Sequence, residues 1–240
     1  MVRTIKLAVE TWQTRSPFCI TGYTFTTVEV LVVEITEQGC MGRGEAFGLY
    51  YLNETAASLL AQAKTMQQAL ELGADRAALQ TLLPAGGARN ALDCALWDLE
   101  AKLSGQSIWQ YCGVVPQPIT SSDTLGMDSI NNMAAAAQQI DSPVIKIKLT
   151  DEQPLERVRA IRAVQPEATL IVDVNQGWTF AQLQTYTEAL QNLGVEMIEQ
   201  PLPRGKDQVL DTYDYPLCRR ILFRQIGAGR CGKPLSDDQY

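Results

Sequence analysis

The sequence predicts an α+β domain followed by an incomplete parallel α/β barrel of the TIM type, and three observations predict it. First, three short apolar runs each end in charged or polar side chains: Val144-Ile145-Lys146-Ile147-Lys148-Leu149, Leu170-Ile171-Val172-Asp173-Val174-Asn175 and Met197-Ile198-Glu199-Gln200-Pro201-Leu202. They lie roughly 25 residues apart with helical pattern between them, as buried parallel strands alternating with helices do. Second, residues 2–12, 26–37 and 41–47 alternate polar and apolar side chains around turn residues, which predicts a three-stranded antiparallel meander. Third, a helix-rich segment and the linker Pro116-Gln117-Pro118 separate the meander from the strand runs, so residues 1–115 and 116–216 read as two domains.

The elements follow in order. Ser16-Pro17-Phe18-Cys19-Ile20-Thr21-Gly22-Tyr23 is predicted as a loop, apolar for a surface turn, and is read either as packed on its own domain or as a lid over a ligand. Gly48-Leu49-Tyr50-Tyr51-Leu52-Asn53 is a second candidate lid. Asn53-Glu54-Thr55 opens a helix running to about Leu72, a short helix follows Asp75, and residues 84–102 form a long helix whose many alanines suit close packing. The first barrel strand is predicted at residues 119–125. Helices at residues 129–140, 152–164 and 179–193 lead in turn to the lysine strand, to Asp173 and to Glu199.

Composition narrows the function. An apolar content of 46% in 240 residues is ample for a core. The formal charge of −7 argues against a nucleic-acid partner, and no run approaches the length of a membrane span, so the chain reads as cytoplasmic. The six cysteines form no Cys-x-x-Cys pair and the chain has no His, which argues against structural zinc, a disulfide framework and His-based nucleophilic catalysis. Acid-base work must fall to lysines or carboxylates.

In a parallel barrel the C-terminal strand ends converge on one site. Lys146 and Lys148 alternate with Ile145, Ile147 and Leu149 and so share one face of their strand. A lysine crowded by another cation and partly desolvated has its pKa lowered, which makes it usable as a neutral base.

Lys-x-Lys, Asp-x-Asn and Glu-Gln-Pro on successive strands resemble the enolase superfamily in its muconate-lactonising branch. The helix containing Ala88-Arg89-Asn90-Ala91-Leu92-Asp93-Cys94-Ala95-Leu96-Trp97-Asp98 looks like that of bacterial dipeptide epimerases, which interconvert L-Ala-D-Glu and L-Ala-L-Glu. The resemblance implies that residues 1–115 cap the barrel and set substrate specificity. It also implies a 1,1-proton transfer through an enediolate stabilised by Mg²⁺. Lys148 would be the base, Lys146 would keep it neutral and help bind a carboxylate, and Asp173 and Glu199 would bind Mg²⁺. Phe18, Tyr50, Thr124 and Asn175 are candidate substrate contacts. Muconate cycloisomerase and o-succinylbenzoate synthase share these strand ends and stay open as alternatives, as does a non-catalytic fragment, and a homo-oligomer stays open as well. Residues 21–28 lack the basic side chain that some relatives use to hold an acidic substrate, which leaves the preference for a Glu-containing dipeptide open.

The resemblance leads one to expect a third acid, within Ala-Asp-Glu-Ser, on a fifth strand and a second lysine on a sixth. Instead residues 217–240 hold five basic side chains (Arg219, Arg220, Arg224, Arg230, Lys233) against Asp237 and Asp238, a reversal of the acidic balance before them. Encoded as CTT TGC CGA CGA ATC CTG TTT, Leu217 to Phe223 would read Phe-Ala-Asp-Glu-Ser-Cys from the second base. A frameshift near codon 217, natural or from sequencing, is therefore expected, the alternative being a divergent C-terminus. The chain as it stands is expected to be inactive.

Overall fold

The structure is a computed structural model that describes residues 3–211 and Tyr213. The expected 217–240 tail lies outside the described residues. The chain divides into two units, one of residues 1–16 and 26–118 and one of residues 17–25 and 119–240.

In the first unit the strands β1 (Thr4–Ile20), β2 (Tyr23–Glu37) and β3 (Cys40–Phe47) form one sheet in the order β1-β2-β3. β2 and β3 pair antiparallel around Gln38-Gly39. The predicted loop at residues 16–23 is instead strand up to a two-residue turn, Thr21-Gly22, with Gly22 at φ +76°. Pro17 is tolerated because β1 is an edge of this sheet, where a missing N–H breaks no interior ladder.

Four helices follow: α1 (Ala56–Glu71), α2 (Arg76–Leu82), α3 (Gly87–Ser104) and α4 (Ile108–Cys112). Thr55 caps α1 through a capping box with Ser58, and Asp75 caps α2 by accepting from the Ala78 N–H. The α3 alanines meet the sheet at Gly42 and Gly44, where an added Cβ would run into the backbone of Ala91, Ala95 and Leu99. The resulting core holds Leu31, Val33 and Ile35 of β2 against Leu92, Ala95, Leu96 and Leu99 of α3. The sequence reading missed α4, which the Ser107–Gln110 capping box starts.

The second unit has a four-stranded parallel sheet in the order β4-β5-β6-β7: β4 (Asp123–Leu125), β5 (Val144–Lys148), β6 (Thr169–Asp173) and β7 (Val195–Glu199). Helices α5 (Ile130–Ala137), α6 (Pro154–Val164) and α7 (Phe180–Asn192) connect them. β4 is shorter than the predicted 119–125. Pro118 removes a backbone donor just before it, and Ile119 is 89% exposed. Ile145, Ile147, Leu170, Val172 and Ile198 are fully buried in one core with Val158 and Ile161 of α6 and Leu183 and Leu190 of α7. The opposite sheet face is where polar strand-end residues are free to converge. Among the described residues no helix is long and apolar enough to cross a membrane.

Candidate active site

Register builds the site. Lys148, Asp173 and Glu199 are Cα partners in one row across β5, β6 and β7. Lys146 lies two residues before Lys148, hence on the same face, and is paired in register with Thr124 of β4. Side chains at matched positions of neighbouring strands point the same way, so these residues share one face.

Glu199 reaches that row only because β7 carries a bulge. Leu170 pairs with Val195, yet Ile171 pairs with Met197, so one extra residue is inserted at Glu196. An uninterrupted ladder would set Ile198 beside Asp173 and turn Glu199 to the helix side. A bulge re-aims a side chain in this way at the cost of one rung.

The charges interlock. Lys146 Nζ lies 3.0 Å from Asp173 Oδ2 and 2.6 Å from Glu199 Oε2, bridging the two acids. Lys148 Nζ donates to the same Asp173 oxygen at 2.6 Å and to Asn175 Oδ1 at 3.0 Å. The Asp173 side chain is 2% exposed and that of Glu199 17%. Burial pushes the Lys146 ammonium down, but hydrogen bonds to Glu199 and Asp173 and the charges of both acids outweigh it and hold its pKa above the ordinary lysine value. The like charges of the two lysines are thus balanced by an acid in contact with both.

Backbone geometry supports the same spot. Asn175 sits in the left-handed region at φ 49° and donates its N–H to Asp173 Oδ1 at 3.0 Å. Asn tolerates that conformation; Gln176 at φ 70° and Gln200 at φ 44° are less suited to it, and the Gln176 N–H donates to the Gln200 carbonyl at 2.7 Å. Strained backbone concentrated at the ends of two neighbouring strands is a frequent mark of functional sites.

The other candidates are dispersed. Phe18 lies near the end of β1, its ring edge against Gly126. Thr124 is exposed on the lysine face. Tyr50 belongs to the first unit, in a 3₁₀ turn over Tyr50–Leu52, with its ring edge-on to Tyr51. The sequence reading assigned no role to Thr21, whose hydroxyl lies 3.0 Å from the Val174 carbonyl.

Two carboxylates of neighbouring strands that share one cation are the hard oxygen donors a divalent ion takes, so Asp173 and Glu199 fit Mg²⁺ as two of its ligands. Among the described residues no third acid, His or Cys stands with them.

Residues 2–113 match the mandelate racemase / muconate lactonizing enzyme N-terminal domain, and residues 131–215 match the enolase C-terminal domain-like family. The chain is 39% identical over 220 residues to the L-Ala-D/L-Glu epimerase of Escherichia coli (strain K12), which aligns 90% of this chain with 68% of that protein. An enolase family member from Agrobacterium tumefaciens, described as homologous to dipeptide epimerases and solved with sodium, L-Ala-L-Glu and an ordered loop, superposes with TM-score 0.85 at 34% identity. It covers 90% of this chain and 67% of that one. The dipeptide epimerase of Methylococcus capsulatus, solved with Mg and L-Arg-D-Lys, gives TM-score 0.83 at 29% identity, covering 92% and 67%. Two further curated relatives are spanned over 61% and 52% of their length.

The chain belongs to the enolase superfamily, in its mandelate racemase / muconate lactonizing enzyme family. Its curated relatives are isomerases, named as epimerases and racemases, and among them it is most like the dipeptide epimerases.

Proposed function

We propose that the site serves 1,1-proton transfer on a dipeptide of the L-Ala-D/L-Glu type. The observation that carries this reading is the row Lys148, Asp173, Glu199, with Lys146 bridging the two acids at 3.0 and 2.6 Å.

Lys148 in its free-amine form takes the proton from the carbon next to the substrate carboxylate, and the electron pair passes into that carboxylate as an enediolate. Return of a proton to the other face inverts the centre. Asp173 and Glu199 would hold Mg²⁺, which supplies positive charge beside the substrate carboxylate and so makes the neighbouring proton removable near neutral pH. In that state Lys146 is released from the acids and is placed to pair with the substrate carboxylate. Asn175 Oδ1 accepts from Lys148 Nζ at 3.0 Å and so orients it. Phe18 and Thr124 are proposed to contact the substrate.

The family reaction needs a proton donor for the second face, expected on a sixth strand, and a third acid, expected on a fifth; the described sheet has four strands. We therefore expect the polypeptide of 240 residues, taken by itself, to show no turnover. The test is α-proton exchange of L-Ala-L-Glu in D₂O with Mg²⁺, for this chain and for a version of the gene read as Phe-Ala-Asp-Glu-Ser after codon 216. Exchange in the second and not the first, lost again in Lys148→Ala, is the expected result. Exchange that survives Lys148→Ala refutes the role of Lys148. Equal exchange by the chain as it stands refutes the requirement for further strands.

A further inference from the structure

We propose that Thr21 is a positioning residue that latches the β1–β2 turn across the ends of β5 and β6, over the mouth to which the preceding section assigns proton transfer. Residues 17–25 belong to the second unit, so the turn and the strand ends form one compact body. The Thr21 hydroxyl lies 3.0 Å from the Val174 carbonyl and 3.4 Å from the Leu149 carbonyl. These carbonyls belong to the residues that directly follow Asp173 and Lys148. The Leu149 N–H closes a rung on the Asp173 carbonyl at 3.0 Å, and the Val174 N–H closes one on Glu199 at 3.1 Å. Thr21 thus supplies a donor where the parallel ladder stops.

Two further features fit the turn to this place. Gly177 faces Thr21, and an added Cβ would come within 3.2 Å of both Thr21 Oγ1 and Cγ2 and 3.0 Å of the Val174 carbonyl, a crowding that the turn would have to relieve by moving a few tenths of an ångström. On the other side the Met127 N–H donates to the Cys19 carbonyl at 3.2 Å. Ile20, between these two clasps, is 6% exposed.

The latch rests on backbone acceptors and on one hydroxyl proton, which must choose between two carbonyls. A single neutral hydrogen bond of this kind shifts an equilibrium by about tenfold, strong enough to keep a turn closed and weak enough to let it open. Because the bond ends one residue beyond Lys148 and Asp173, the seated turn fixes Phe18 relative to anything bound between them. Thr21 acts through that placement and touches none of the proposed reacting groups.

Amide hydrogen exchange tests the latch without turnover, so its outcome is independent of the proposed chemistry. In Thr21→Val, exchange at residues 18–22 and at the Met127 amide should rise about fivefold to tenfold. Thr21→Ser should restore protection. Gly177→Ala should produce the same acceleration and add nothing to Thr21→Val in the double variant, because both release one contact. Unchanged exchange at the turn and Met127 in Thr21→Val, or failure of Thr21→Ser to restore it, overturns the proposal.

Discussion

Replacing Lys146 by Met removes the cation between Asp173 and Glu199 while keeping an unbranched stem of similar length. Asp173 keeps Lys148 at 2.6 Å and the Asn175 N–H at 3.0 Å, but Glu199 loses its 2.6 Å partner. Two like unit charges about 5 Å apart at an effective dielectric of about 20 repel by about 3 kcal/mol. Breaking a fully buried pair costs about 3–5 kcal/mol. Glu199 is 17% exposed and Asp173 stays paired, so a loss of about 1–3 kcal/mol is expected for Lys146→Met. Mg²⁺ should then bind between the freed acids and recover part of that loss, whereas in the parent chain it must first displace the lysine. Urea denaturation with and without 10 mM Mg²⁺ reads both effects. If Lys146→Met is as stable as the parent without metal, the lysine does not neutralise the acid pair and the reasoning fails. If Mg²⁺ stabilises the variant no more than the parent, the acids are not its ligands.

Two other predictions concern the frame around the site. Arg162 donates to five carbonyls, those of Gln165, Pro166, Ala168, Leu193 and Gly194, at 2.8–3.1 Å, tying the end of α6 to the starts of β6 and β7. Arg162→Ala should lower stability by about 2–3 kcal/mol in urea denaturation, and Arg162→Lys should not rescue it, because one ammonium cannot span five acceptors. The Asp128 carboxylate accepts from the Ser129 N–H and then from the Asn132 side chain, which together hold its pKa below the ordinary 3.8. With its folded pKa depressed, Asp128 supports the α5 start above the unfolded value and loses that support as pH falls through the lowered one. An NMR titration of its carboxylate should give a midpoint below 3.8, and Asp128→Asn should abolish that acid-side dependence.

Much of this arrangement was legible because buried parallel strands write themselves as apolar runs, and the polar residues that interrupt them stand out. Lys146, Lys148, Asp173 and Glu199 were readable for that reason. What escaped the sequence has identifiable physics. Ser16-Pro17 signals a break, but Pro17 lies on an edge strand, so β1 runs on to Ile20. β4 shrinks to Asp123–Leu125 because residues near Pro118 extend into solvent. The α4 start was signalled by Ser107 and Gln110, a short capping box easily lost between glycines. Thr21 gave no signal, since its partners are backbone carbonyls that any residue at positions 149 and 174 would present. The left-handed backbone at Gln176 and Gln200 is likewise imposed by the tertiary structure, because nothing in a glutamine favours it.

The extra residue in β7 makes the face that Glu199 shares with the two lysines a matter of odd and even. Every position after Glu196 is displaced by one step along the pleat, so the count of residues between Val195 and Glu199, and not the identity of Glu199 alone, decides whether a carboxylate or an isoleucine looks into the mouth. Point substitutions in this strand can be graded in their effect. Single-residue insertions and deletions cannot, because each one exchanges the wet and dry sides of the strand wholesale.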